Sequence, residues 1–431
     1  MNNSQTIRAD IAIVGAGPAG IAAATVAAES GRSVILLDDN PQPGGQIWRG
    51  GAVAPKGSAA QWLARLARTS VRLISDARVF NADGMTLFAE VRGNTVGVIA
   101  QKVILATGSR ERFLPFPGWT LPNVMGAGAF QAFMKAGLPV SGKRVVVAGT
   151  GPLLLAVASY AVERGANVVA IAEQTSWLRF LGFGISVSLV PGKVREAIRL
   201  SRRLRHIPQY KNCWPVAACG RDTLESVRLA RSGTSENIPC DYLACGYHLV
   251  PCIELAQLLG CRISNGFVTT NDVQQSSVQN VYCAGEPTGI GGVELSLLEG
   301  EIAGHSAAGQ LVAAKDLFRR RNAARRNVRA IARAFALRKE LKSISQDATI
   351  LCRCEDVPFG KVRPMNSWRA AKLHTRCGMG PCQGRICGSA TEFLFGWNVG
   401  LPRPPLFPVI CASLGQIFKE SDLSNSQGES Q

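Results

Sequence analysis

The chain repeats one pattern twice: a short apolar run, a glycine-rich turn, an alanine-rich stretch at helical spacing, and a second apolar run that ends on an acid. In the first copy Ile11-Ala-Ile-Val14 predicts a buried parallel strand, Ile21 to Ser30 a helix, and Ser33-Val-Ile-Leu-Leu37 the next strand, ending at Asp38. In the second copy Lys143-Arg-Val-Val-Val-Ala148 and Asn167-Val-Val-Ala-Ile-Ala172 predict strands around a helix from Leu155 to Arg164, with Glu173 at the end. Val103-Ile-Leu-Ala-Thr-Gly108 and Val281-Tyr-Cys-Ala-Gly-Glu286 add two more strands running into small-residue turns, and a helix is predicted over Glu294 to Ala308. Strands alternating with helices predict an α/β chain, and 431 residues predict two or three domains. The longest uncharged stretch, Ile11 to Ala28, has the length of a short membrane span. Its three glycines and Pro18 fall where a strand must turn into a helix, so it reads as a soluble βα unit.

The first turn carries chemistry. Gly15-Ala-Gly17-Pro-Ala-Gly20 lies between strand and helix, where Gly-x-Gly-x-x-Gly has meaning. Gly15 permits the tight turn, Gly17 lets backbone N–H groups approach a pyrophosphate at the helix N-terminus, and Gly20 lets the helix pack on the strand. Asp38, 18 residues after Gly20, stands where a carboxylate can accept hydrogen bonds from ribose hydroxyls. An adenine dinucleotide site is expected, against the alternative of a glycine-rich turn kept for packing. Pro41-Gln-Pro-Gly-Gly-Gln-Ile-Trp-Arg49 offers a second close backbone approach at Gly44-Gly45, with Gln46 and Arg49 beside it.

In these segments the chain resembles the two-dinucleotide-fold flavoproteins of the glutathione-reductase and thioredoxin-reductase type. The resemblance implies that the first dinucleotide is FAD, held by Gly15, Gly17, Gly20, Asp38, Gly45, Gln46, Arg49, Thr107, Gly108, Gly285 and Glu286. Gly285 and Glu286 would reach the ribityl and phosphate region, and the following helix would point its positive N-terminus at the flavin ring. That family usually has Asp where this chain has Glu286. The second copy, Gly149-Thr-Gly151-Pro-Leu-Leu154, corresponds to the family's NAD(P) domain, but Leu154 replaces the third glycine and is expected to push the helix off the strand and narrow pyrophosphate access. Three readings stay open there: NAD(P), another nucleotide such as ATP at Gly149–Gly151, and a scaffold without ligand. No Cys-x-x-Cys occurs in the chain, which speaks against a dithiol disulfide reductase.

From Arg319 to Lys342 there are ten Lys or Arg residues and one acid, Glu340. Val328, Ile331, Phe335 and Leu337 or Leu341 recur near a helical period, which predicts an amphipathic connector: solvated, docking an acidic partner, or binding an anionic polymer or membrane surface. Five of the thirteen cysteines then crowd together. Cys352-Arg-Cys354 on an extended segment can aim two sulfurs at one centre, and Cys377, Cys382 and Cys387 follow at equal x4 spacing, so spacing alone does not select the ligands. Four thiolates suit a [2Fe–2S] cluster, and zinc accepts the same set. The segment Gly378-Met-Gly-Pro-Cys382-Gln-Gly-Arg-Ile-Cys387 resembles the ferredoxin-like domain related to bacterioferritin-associated ferredoxin, in a variant where an apolar residue commonly stands at the place of Cys377. The resemblance implies Cys352, Cys354, Cys382 and Cys387 as ligands and Cys377 as a bystander. Arg353, Arg376 and Arg385 would offset the thiolate charge. The remaining cysteines lack ligand spacing and read as small core residues, and neither His248 nor His305 sits in a catalytic constellation.

Charge and composition narrow the partners. The net charge of +18 suggests an anionic partner, but no zinc finger, helix-turn-helix or RNP signature supports nucleic acid, and none is expected. No secretory signal is recognised, so a cytoplasmic location is expected, with room for association at the cytoplasmic face of a membrane. The partition reads as residues 1–115 and 255–315 for the FAD-binding domain, 116–254 for the NAD(P)-like domain, 316–345 for the connector, 346–395 for the [2Fe–2S] domain and 396–431 for a tail, with Asp422 to Gln431 disordered. The order of parts and the closing Arg403-Pro-Pro-Leu-Phe-Pro408 resemble the A (alpha) subunits of opine oxidases, with the HcnB-type subunits of hydrogen cyanide synthase and the alpha subunits of hydroxyproline and proline dehydrogenases close by. The resemblance implies an electron-transfer subunit whose partner is an FAD-containing beta subunit similar to sarcosine oxidase beta, with room for a small third subunit and for peripheral contact with a membrane electron-transfer chain. The beta subunit would oxidise the C–N bond of an opine such as octopine or nopaline, giving an amino acid and a 2-oxo acid. A self-contained NAD(P)H:acceptor oxidoreductase is the alternative.

Overall fold

A computed structural model describes residues 5–48, 56–177, 179, 199–231 and 233–416. Arg49 and the polar end Asp422 to Gln431 lie outside the described residues. The chain forms two compact units, Met1–Arg110 with Pro251–Arg325 and Leu401–Gln431, and Glu111–Val250 with Arg326–Gly400.

The first unit is built on a seven-stranded sheet. Its parallel part orders the strands Arg72–Ile74, Val34–Leu37, Gln5–Val14 and Asn94–Leu105, with Val281–Cys283 on the far side of the last, and Thr86–Val91 and Ala77–Asp83 extend it antiparallel. The predicted first strand is longer than its apolar core because Gln5 to Ala9 pair with the outer half of Asn94–Leu105. Pro18 opens the helix Pro18–Glu29, where its missing N–H and fixed φ cost nothing. Ala19 to Ala27 are all buried, so small side chains bring this helix close to the sheet and to Gly292–Ala308. At that crossing a side chain on Gly300 would overlap the Ala19 carbonyl. Ile11, Ile13, Ile21 and Leu36 fill the layer between, at roughly 2 kcal/mol each. The segment after Leu401 joins the same unit: Leu406 N–H donates to the Phe80 carbonyl at 2.7 Å and Thr95 Oγ1 to the Ser413 carbonyl at 3.0 Å.

The second unit repeats the motif. A five-stranded parallel sheet runs Gln209–Lys211, Asn167–Glu173, Arg144–Thr150, Tyr242–Tyr247 and Val124–Gly126, and an antiparallel sheet of Cys213–Cys219, Ser226–Arg231 and Thr234–Pro239 stands beside it. The cysteine-rich stretch has its own small core of Leu351, Val357, Val362, Trp368, Ala371 and Ala390. Trp119 Nε1 donates to the Ile350 carbonyl at 2.5 Å and ties that stretch to the second fold.

The basic connector departs from the sequence expectation of one amphipathic helix reaching Lys342. The helix is Phe318–Ala334, and a 3-10 turn, Lys339–Ser343, follows after a break. Nor is it solvated throughout: Arg321 is fully buried, donating to the Asp272 carbonyl at 2.5 Å and to its carboxylate at 2.8 Å, and Arg325 pairs with buried Glu299 at 2.7 Å. A charge run therefore hides two structural ion pairs, each able to persist in the interior because its partner is fixed there. Among the described residues no helix is long and apolar enough to cross a membrane.

Candidate functional site

The first loop has the form the motif requires. Gly15 takes φ +103°, and a side chain there would overlap the Ala106 carbonyl. Gly20 sits so close that a Cβ would overlap the Gly15 carbonyl, the close helix–strand contact expected of the third glycine. Gly17 differs: its φ is −76° and its nearest neighbour, the Gly45 Cα, lies 4.0 Å from where a Cβ would be. Gly17 and Gly45 face one another with no side chains between them, and Gly44 N–H donates to the Ala16 carbonyl at 2.7 Å. Asp38 is buried, and its carboxylate accepts from Ala16 N–H and, at 2.8 Å, from Asn40 N–H, so it braces the loop from below. Gln46 belongs to the short helix Gly45–Trp48 beside the loop.

The later segments converge on this loop. Thr107 lies next to Gly15 and donates to the Cys252 carbonyl at 2.5 Å, while the Gly108 carbonyl accepts Cys252 N–H at 2.9 Å. Gly285, with φ +79°, would meet Ala19 Cβ at 2.9 Å if it carried a Cβ. Glu286 accepts a hydrogen bond from Ser109 Oγ and one from Gly292 N–H, and burial pushes its carboxyl above the usual range. The structure thus brings together every described residue of the first set, from Gly15 to Glu286, around one cradle. No motif in the sequence pointed to Ser109 or Glu299; the latter is an acid inside an apolar helix, the one signal that marks it.

The second loop has the same backbone and a different filling. Gly149 takes φ +130° and Gly151 N–H donates to Glu173 at 2.8 Å, as Ala16 does to Asp38. Leu154 does not lift the helix away from the sheet. It is buried, with its Cδ2 set against Gly246, where a Cβ would lie 3.3 Å from it, so the missing side chain on the neighbouring strand makes room. What closes the approach is Phe335. It is 2% exposed and its ring lies 4.0 Å from where a Gly151 Cβ would be. Its carbonyl accepts from Thr150 Oγ1 at 3.3 Å and meets His248 Nε2 at 2.7 Å. Gln174 locks the next residues, donating to the Ala336 carbonyl at 3.3 Å and accepting Arg338 N–H at 3.1 Å. His248 is therefore a structural group, held in its neutral form by burial.

The five clustered cysteines divide into three and two. Cys352, Cys377 and Cys387 are buried with their sulfurs all within 4.8 Å of one another. Hydrogen bonds from the other two thiols and from Gly378 N–H hold Cys352 far below the usual thiol range, and the same contacts push Cys377 and Cys387 up. Cys354 is exposed and in contact with Cys382. The geometry differs from the sequence reading twice. Cys352 and Cys354 do not share a strand face, because the strand Ile350–Cys352 ends at Cys352 and a turn through Asp356, φ +47°, follows. Cys377 stands inside the thiol group rather than apart from it. Gly380 explains how the Cys382 loop closes over Cys354, since a side chain there would overlap Cys354 Cβ. Arg376 is committed to Glu355 at 2.7 Å and Arg385 reaches the Cys382 carbonyl at 3.3 Å. All thirteen cysteines are free, and of those outside the cluster Cys213, Cys240, Cys245, Cys261 and Cys283 are core residues while Cys411 is exposed.

Comparison with known proteins follows the same division. The pyridine nucleotide-disulphide oxidoreductase family model matches residues 9–310. The A subunit of opine oxidase from Rhizobium meliloti is 32% identical over 463 residues, covering 95% of this chain and 87% of the relative. The HcnB subunit of hydrogen cyanide synthase from Pseudomonas aeruginosa is 30% identical over 450 residues, covering 92% and 96%. In fold, the chain resembles crystalline L-proline dehydrogenase from P. horikoshii with a TM-score of 0.67 at 18% identity, over 96% of this chain and 81% of that one. The chain belongs to the pyridine nucleotide-disulphide oxidoreductase family, as an oxidoreductase of the group that includes the opine oxidase A subunits.

Proposed function

We propose that this chain is the electron-carrying subunit of a multi-subunit oxidase or dehydrogenase that opens a C–N bond, with an opine as substrate. The observation that carries the reading is the pairing, in one chain similar to the opine oxidase A subunit over 95% of its length, of an open glycine cradle with a five-cysteine module. FAD in the cradle would supply a carrier that accepts electrons in pairs and gives them up singly, and a [2Fe–2S] cluster on the thiols a one-electron carrier.

The residues fit those groups. Gly17 and Gly45 leave the side-chain-free gap a pyrophosphate needs, with Gly15, Gly20 and Asp38 fixing the loop around it. Gln46, Arg49, Thr107, Gly108, Gly285 and Glu286 complete the assignment to FAD. Cys352 and Cys387 belong to either cluster set; Cys354 and Cys382 complete the one favoured by sequence resemblance, and Cys377 competes for a place. The second fold serves as a scaffold: Phe335 occupies its approach, which disfavours the NAD(P)H:acceptor alternative. Substrate oxidation then belongs to an FAD-bearing partner similar to sarcosine oxidase beta. Hydroxyproline or proline dehydrogenase and hydrogen cyanide synthase are the activities that compete with opine oxidation.

The test is anaerobic co-purification with native partners and a substrate screen. Bleaching of the complex by octopine or nopaline, and not by NADH or NADPH, supports the reading; bleaching of the isolated chain by NADPH removes it. Cys382→Ser should abolish iron binding and Cys377→Ser should spare it, and the reverse result reassigns the fourth ligand. Zinc in place of iron and acid-labile sulfide would remove the cluster.

A further inference from the structure

We infer that Arg325 and Glu299 form a buried clamp that positions the Gly285–Thr288 turn for its cofactor contacts; the inference rests on the FAD reading above. Glu299 lies mid-way along the helix Gly292–Ala308 and is 1% exposed. Its Oε2 accepts Gly285 N–H at 3.0 Å and Thr288 Oγ1 at 2.6 Å. Its Oε1 receives Arg325 Nε at 3.0 Å and Nη2 at 2.7 Å. The same Nη2 donates to Gln274 Oε1 at 3.0 Å, and Gln274, fully buried, donates through Nε2 to the Cys283 carbonyl at 2.9 Å while its backbone carbonyl accepts Cys283 N–H at 2.9 Å. One guanidinium therefore holds both ends of the segment from Cys283 to Thr288, through Gln274 on the strand side and Glu299 on the helix side.

The segment needs outside support. Gly285 has φ +79° and ψ −147°, a conformation open only to glycine, so the turn is not fixed by its own side chains. A carboxylate buried this deeply persists as an ion only if paired, and Arg325 is the cation that pairs it. Arg321, one turn earlier and bound to Asp272, fixes the register of the same helix against the segment that carries Gln274 into place. Neither Arg325 nor Glu299 is among the residues assigned to the flavin, and both act through Gly285 and Thr288, so both are positioning residues.

The full-length chain, stripped of flavin and titrated with FAD, tests this through two readouts besides activity: the Kd from fluorescence and the flavin midpoint potential from spectroelectrochemistry. Arg325→Ala should raise the Kd roughly tenfold or more, the loss expected for a charged buried hydrogen bond, and displace the potential. Arg325→Lys, which keeps the charge without the fork, should recover part of both, and exposed Arg326→Ala should change neither. If Arg325→Ala does not fold, Glu299→Gln keeps the volume and one acceptor and should shift both readouts in the same direction by less. Wild-type Kd and potential in Arg325→Ala and Glu299→Gln would overturn the clamp and leave the FAD reading standing. A wild-type chain that takes up no FAD would remove that reading and the clamp together.

Discussion

The two dinucleotide-type folds are built on the same backbone and have diverged in what stands over the glycines. Both loops bend at a glycine of large positive φ, Gly15 and Gly149, and both strand-end acids, Asp38 and Glu173, are bonded to a loop N–H. Over the first loop passes Gly44-Gly45, which has no side chain; over the second passes Phe335, which has a large one. Loop geometry alone therefore does not make a nucleotide site. The segment that crosses the loop decides whether a ligand can reach it, and that segment is far away in sequence in the second case.

The largest effect should come from the crossing segment. Phe335→Ala removes a buried ring and should cost about 3–5 kcal/mol in chemical denaturation. If Phe335 is what closes the second loop, the surviving folded variant should bind NADH or ATP by calorimetry where the wild type binds neither, and tight binding by the wild type would break the comparison. Gly15→Ala should follow at about 3 kcal/mol or more, because the residue is both at positive φ and against the Ala106 carbonyl. Gly17→Val separates ligand from fold: φ is ordinary and no atom lies nearer than 4.0 Å to its Cβ, so stability should change by less than about 1 kcal/mol while flavin content collapses. Retention of flavin in that variant would place the pyrophosphate elsewhere.

The smallest effect concerns a carboxylate in the second unit. Glu111 accepts Gly128 N–H at 2.7 Å and Ala129 N–H at 2.9 Å at the start of the helix Ala127–Lys135, and burial outweighs these bonds to lift it above its usual 4.5. A value raised on folding means that its contribution is complete below the usual range and declines as pH rises through the folded value. Glu111→Gln should cost about 1 kcal/mol of capping and flatten the fall in melting temperature on the alkaline side of 4.5. An unchanged pH profile would show that Glu111 does not titrate in that window.

Much of this was legible in the chain. Strand and helix periodicity located both folds, and the glycine and acid spacing located the first cradle, because each is a local backbone requirement. What was hidden depends on contacts distant in sequence. Leu154 reads as obstructive until Gly246 is placed opposite it, and Phe335 reads as one face of a solvated helix although its carbonyl is held by Thr150 and His248. Arg321 and Arg325 are indistinguishable by spacing from the exposed basic residues around them. The cysteine spacing identified a thiol centre, but equal intervals gave no means of telling that Cys377 would join Cys352 and Cys387.

The most direct test of two redox groups on one chain is quantitation of flavin, iron and acid-labile sulfide in anaerobically purified wild-type protein. The expected result is about one FAD with about two irons and two sulfides per chain, and a visible spectrum in which both contribute. A colourless chain, or a yellow one whose thiols hold zinc and no sulfide, would contradict it.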